Sequence, residues 1–199
     1  MTDTLSLDDV SVLLVWTAIA VYALAFVAYA IDLARRSALA VEAKDARARD
    51  RELVAAGGES ITDVTARERR AGAEIASAPG ARPRLLWARI GTSLTVLAFL
   101  FHLGATVLRG IAAERVPWSN MYEFAMTGLL LVVAVYLGVL FRYDLRFLGT
   151  FITGLVVVLL GGATLSFYVE VVPLMDPPKS VWLVIHVFVA SLGTALFAL

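Results

Sequence analysis

Two histidines, His102 and His186, are the only imidazoles in the chain, and each lies inside an apolar run. An ionisable side chain within a membrane-length segment is costly and implies a partner, and imidazole is a common iron ligand. His102 lies seven positions before Arg109 and His186 six positions after Ser180. At about 1.5 Å per helical residue, both rings sit about 10 Å below the outer ends of their helices. A pair at matching depth on two helices could hold one haem between them. The plainer alternative is that each ring hydrogen-bonds a carbonyl or hydroxyl of a neighbouring helix. Cysteine is absent, which excludes disulfides, thiolate metal sites, dithiol redox chemistry and covalent haem attachment to this chain.

The surroundings of His186 favour a planar ligand. Pro173, Pro177 and Pro178 break the preceding loop, Lys179 adds a cation, and Trp182 lies four residues before the histidine. Four residues is about one helical turn, so Trp182 and His186 share a face, with the indole above the imidazole. Interfacial tryptophan is also ordinary anchoring. A second aromatic group, Trp118, Tyr122 and Phe124, crowds the loop that leads out of 109–120. Within it, Asn120 followed by Glu123 is a capping pattern, the Asn oxygen accepting from an early helix amide and the Glu reaching back. Glu123 also complements the positive end of a helix. Capping accounts for Asn120 and Glu123 but not for the clustered rings, which would suit a platform for a flat ligand.

These residues need elements to hold them. Hydrophobic residues make up 60% of the chain and charged ones 17%, and the mean hydropathy is +0.81, too apolar for a soluble domain. A spanning helix needs about 20 apolar residues to cross about 30 Å of hydrocarbon. The runs 10–31, 90–108, 124–141, 147–169 and 180–199 meet or approach that, and each is read as a transmembrane helix because backbone amides in lipid must pair internally. The first run could be mistaken for a secretory signal, since Ala28-Tyr29-Ala30 resembles a cleavage site. Its acidic start, Asp3, Asp8 and Asp9, argues for an anchor instead.

Charge sets the expected orientation. The segment 33–86 carries Arg35, Arg36, Lys44, Arg47, Arg49, Arg51, Arg67, Arg69, Arg70, Arg82 and Arg84, and Arg89, Arg142 and Arg146 fall on the same side. The other side keeps only Arg109, Arg115 and Lys179. The positive-inside bias therefore places 33–86 in the cytoplasm and the amino terminus outside. Acidic and basic residues balance at 17 each, which gives no indication of nucleic-acid binding. Residues 34–56 are expected to form a solvated helix up to the Gly57-Gly58 break, and the stretch through Pro79-Gly80 and Pro83 reads as linker. Gly149, Thr153 and Gly154, then Gly161, Gly162 and Ser166, place small residues along one ridge of the fourth spanning segment. Close helix packing is the expected reason, with ligand approach the alternative. The last run ends at Phe197-Ala198-Leu199 with no charged flank and no tail, so further helices are expected beyond it.

Two motifs, Arg115-Val116-Pro117-Trp118-Ser119-Asn120-Met121-Tyr122-Glu123 and Val172-Pro173-Leu174-Met175-Asp176-Pro177-Pro178-Lys179-Ser180-Val181-Trp182-Leu183-Val184-Ile185-His186-Val187, occur in an order and spacing that resemble the CcsA family. These proteins, also called ResC or CcsB, are the integral membrane haem-handling components of System II cytochrome c biogenesis. The resemblance covers roughly 87–199; the first helix and the insert resemble actinobacterial members more loosely. It implies transient, non-covalent haem b, held at the outer face by two external histidines flanking a tryptophan-rich WWD segment. It also implies a ResB-type membrane partner with a large outer domain, a thiol-reducing thioredoxin-like protein, and apocytochrome c as the acceptor. By motif position His186 is similar to the first external histidine, and Asn120, Tyr122 and Glu123 fall on the loop signature. This sequence departs from the family at Arg115, where a histidine is frequent, and holds neither the WWD segment nor the second external histidine. The resemblance assigns His102 no role.

The expectation is thus an all-α, polytopic transmembrane bundle of about five helices in the plasma membrane. It divides into an amino-terminal anchor (1–32), a charged cytoplasmic insert (33–86) and a four-helix haem-handling portion (87–199). His186 is the expected axial ligand, with Trp118, Tyr122 and Trp182 against the macrocycle. Without WWD, the chain is not expected to catalyse haem attachment alone, although the family forms part of a holocytochrome c synthase. Two rival readings are a b-type cytochrome subunit using His102 and His186 on one haem, and a cofactor-free transporter with the glycine-rich fourth segment along its path.

Overall fold

The computed structural model describes residues 6–57, 70, 81–171 and 181–198. Five helices follow one another: α1 (Leu7–Gly57), α2 (Ala81–Ala112), α3 (Met121–Leu140), α4 (Gly149–Phe167) and α5 (Val181–Phe197), with one 3-10 turn (Arg146–Leu148) leading into α4. Helices α1 to α4 each contain a segment long and apolar enough to cross a bilayer, and α5 is a shorter apolar helix. The protein is an all-helical membrane bundle.

Lipid tails are as apolar as leucine, so helices in a bilayer associate through close packing and polar contacts rather than through the hydrophobic effect. The first pair follows that rule with a three-four repeat on both partners. On α1 the buried positions in this repeat are Ser11, Val15, Ala18, Tyr22, Ala25, Tyr29 and Asp32, with Ala28 buried beside them; on α2 they are Ala88, Gly91, Thr95, Ala98, His102, Ala105 and Arg109, with Thr106 beside them. Such a repeat produces the left-handed seam of two helices wound together. Small residues let the backbones approach, and the polar members lock the register. Ser11 Oγ donates to the Ala105 carbonyl at 2.8 Å, and Tyr29 Oη donates to Thr92 Oγ1 at 3.0 Å. The Arg35 guanidinium lies 5.4 Å from the Trp87 ring. These pairings run antiparallel.

Helix α1 continues well past the bilayer. Its 51 residues extend roughly 75 Å, more than twice the hydrocarbon thickness. The solvated helix expected at 34–56 is present, but it is an unbroken continuation of the first spanning segment, with no joint at residue 32. The cause is local: buried Asp32 pairs with Arg36 one turn on at 2.6 Å, and the alanine-rich stretch beyond carries no glycine or proline before Gly57. Helix α2 likewise starts at Ala81, inside the expected linker. Pro83 falls in its first turn, where an amide has no intrahelical acceptor to lose. The Pro79-Gly80 pair and most of 58–80 lie outside the described residues.

Helix α4 docks through its first turn. A Cβ at Gly149 would stand 2.6 Å from the Tyr29 ring and 2.7 Å from Tyr136 Oη, and one at Gly91 would stand 2.9 Å from the opposite side of Tyr29. Tyr29 is therefore held between two glycines of different helices, and its hydroxyl accepts from Tyr136 at 3.4 Å. Gly149→Ala should destabilise the bundle by about 1–3 kcal/mol, the usual cost of overpacking, as read from its midpoint of unfolding in a denaturing detergent.

Candidate functional site

At one end of the bundle, the start of α1, the end of α2, the start of α3 and the end of α4 converge on a single guanidinium. Arg109, whose side chain is wholly buried, donates through Nη1 to Asp8 at 2.6 Å and through Nε to Glu123 at 3.4 Å. Its Nη2 donates to the Val169 carbonyl. Its flat face lies 5.0 Å from the Tyr122 ring and 5.6 Å from that of Tyr168, and those two rings meet edge to face at 5.5 Å. Tyr168 Oη donates to Asp8 at 3.0 Å; desolvation first, then the Asp8 carboxylate, raises this phenol above its ordinary range. Burying charge in this way is sustainable only because each charged group, Arg109, Asp8 and Glu123, is paired.

The loop that follows α2 completes the cluster. Helix α2 ends in a Schellman turn, with Arg115 N–H donating to the Gly110 carbonyl at 3.2 Å and Glu114 N–H to the Ile111 carbonyl at 3.2 Å. Glu114 takes the left-handed conformation (φ 52°) usually filled by glycine. That turn brings Arg115 onto Glu123, with Nη1 2.6 Å from Oε2 and Nη2 3.2 Å from Oε1. The capping pattern read from the sequence is present: Asn120 Oδ1 accepts from Glu123 N–H at 2.8 Å. Glu123 Oε2 in turn accepts from Ser119 N–H at 3.0 Å, one residue earlier than in a standard capping box. Both Glu123 oxygens are thus occupied by protein groups. Tyr122, expected to face a planar ligand, is instead fully buried beneath Arg109. Trp118 is half-buried in the loop.

A separate feature opens between α3, α4 and α5. It is an apolar groove of about 820 Å³, lined by Met121, Phe124, Gly128 and Val132 of α3, Leu155, Leu159, Gly162 and Phe167 of α4, and His186, Ser191 and Thr194 of α5. This lies within the range of about 300–1,000 Å³ usual for small-molecule sites. The small-residue ridge of α4 divides between two uses. Gly149 and Gly154 pack closely against α1 side chains, whereas a Cβ at Gly161 or Gly162, or at Gly128 across the groove, would meet nothing within 4 Å. The first half of the ridge packs helices; the second leaves room.

Of His102, Trp118, Asn120, Tyr122, Glu123, Trp182 and His186, His186 alone lines this groove, and Phe124 is the one member of the loop's aromatic group that joins it. Trp182 is 79% exposed on α5 and does not line it. Pro173, Pro177, Pro178 and Lys179 lie outside the described residues. His102 sits in a different compartment, fully buried in the α1–α2 seam. Its Nδ1 lies 3.5 Å from Tyr22 Oη, with the rings edge to face, and its Nε2 has no hydrogen-bond partner among the described residues. The shared depth expected of the two histidines does not bring them to one site: His102 is enclosed in the α1–α2 seam, and His186 lines the groove between α3, α4 and α5. His102 takes the plainer role considered for it, a contact with a neighbouring helix hydroxyl.

The residue that sequence reasoning missed is Arg109, counted there only as one of three cations on the sparsely charged side. A signal existed: Arg109 continues the three-four repeat of His102 and Ala105, which places it on the buried face. No protein-family model, no curated protein and no solved structure matches this chain.

Proposed function

We propose that this membrane protein handles haem in the manner of the CcsA family, the groove between α3, α4 and α5 receiving the macrocycle edge and His186 approaching the iron. The observation that carries this reading is a lone imidazole on the wall of a mostly apolar groove whose other polar side chains are hydroxyls. Among the described residues no three His, Asp or Glu side chains converge as a metal site. Iron held by His186 would therefore need its equatorial ligands from a porphyrin. Phe124, Phe167 and Met121 offer the flat apolar contacts first assigned to Tyr122, and Trp182 remains free to extend that surface at the rim. When bound, haem supplies the vinyl groups that cytochrome c thioether formation consumes. The chain's own residues would orient the macrocycle and offer one imidazole nitrogen, that of His186, to the iron. The excess of Lys and Arg at the opposite end supports placing the Arg109 cluster on the extracytoplasmic side. A ResB-type partner and apocytochrome c are the corresponding neighbours in this reading.

The test is spectroscopic. Purified chain should take up haem b with an imidazole-ligated Soret band. His186→Gly should weaken binding on the order of ten-fold or more, and free imidazole should restore the spectrum. An unchanged spectrum in His186→Gly would remove the axial role. The b-type cytochrome reading makes the opposite forecast for His102, whose loss should then abolish binding; with the two histidines in separate compartments, His102→Ala is expected to retain it.

A further inference from the structure

We infer that Arg109 is a positioning residue that sets the mouth of the His186 groove. Its role in seating a ligand rests on the haem-handling reading; its effect on groove geometry does not. Each nitrogen of this guanidinium serves a different element: Nη1 reaches Asp8 at the start of α1, Nε reaches Glu123 in the first turn of α3, and Nη2 reaches the Val169 carbonyl just past α4. Met121 and Phe124, in the same turn of α3 as Glu123, wall the groove from one side, and Phe167, two residues before Val169, walls it from the other. The separation of those walls is therefore fixed through a single rigid, planar group. Arg109 is wholly buried, so no water competes for its donors. Lysine has no equivalent fork and can satisfy only a point contact. Tyr168 reinforces the arrangement by linking the end of α4 to Asp8 through its hydroxyl.

The absence of cysteine allows the mouth to be measured directly. Spin labels at Ala125→Cys on α3 and Ser166→Cys on α4, both lining the groove, report the α3–α4 separation by pulsed electron resonance in nanodiscs. Haem affinity is measured on the label-free chain. Arg109→Lys should shift or broaden the distance distribution and raise the haem dissociation constant on the order of ten-fold, as loss of an outer supporting residue does at a metal site. Tyr168→Phe, which removes one hydroxyl and leaves the ion pairs, should produce a smaller change in the same direction and serves if the lysine variant does not fold. An unchanged distance distribution in both variants overturns the inference, whatever happens to haem. A shifted distribution with unaltered affinity overturns the ligand-seating half. A wild-type chain that binds no haem, yet whose groove widens in Arg109→Lys, overturns the haem reading and leaves the geometric role standing.

Discussion

Replacing Glu123 with alanine should lower the stability of the bundle by about 3–5 kcal/mol, the range for removing one partner of a buried ion pair. The carboxylate is wholly buried and sits between two arginines, Arg115 at 2.6 Å and Arg109 at 3.4 Å, while also accepting from Ser119 N–H. Alanine leaves Arg115, only 11% exposed at its side chain, with Ser119 Oγ as its remaining side-chain partner. Arg109 keeps Asp8 and the Val169 carbonyl but faces an empty pocket on its third side. The first turn of α3 loses its negative charge at the positive helix end as well. The neighbouring cap provides the scale: Asn120→Ala deletes one acceptor and should cost about 1 kcal/mol. Unfolding of both variants in denaturing detergent, followed by circular dichroism, makes the comparison. Equal, small losses would mean that the cluster is solvated and that Glu123 acts only as part of the cap.

The contrast between these two residues also marks what the sequence could convey. Asn120 and Glu123 were legible as a cap because a cap is local: three residues of spacing contain the whole interaction. The five apolar runs were legible for a similar reason, since spanning a bilayer depends on length and composition alone: a single helix covers most of each run, four of these helices being long and apolar enough to cross and the fifth shorter. Arg109 was misjudged because charge counting assigns cations to the aqueous side, whereas its partners lie 101 and 14 residues away in the chain. Only the repeat it shares with His102 and Ala105 hinted at burial. Matching depth was a poor guide to whether His102 and His186 meet, because depth fixes one coordinate and the rotation of each helix fixes the other. The groove itself was out of reach, as it depends on how α3, α4 and α5 stand relative to one another.

The glycines of α4 turn that last point into an experiment. Gly149 and Gly162 look alike in the sequence, each one member of the same small-residue ridge, but a Cβ at the first would strike two tyrosines and one at the second would meet nothing within 4 Å. Gly162→Phe should therefore cost less stability than Gly149→Ala, while its ring enters the groove that His186 also lines. Haem uptake should fall on the order of ten-fold or more, the equivalent in affinity of the roughly 1–3 kcal/mol that overfilling a packed site costs. Gly149→Ala should do the reverse, weakening the fold with the groove left open. Opposite responses from two members of one ridge cannot come from a general loss of folding or from haem dissolving in detergent. If Gly162→Phe takes up haem as the wild type does, the ligand sits elsewhere, and His102, whose Nε2 has no partner among the described residues, becomes the next residue to test.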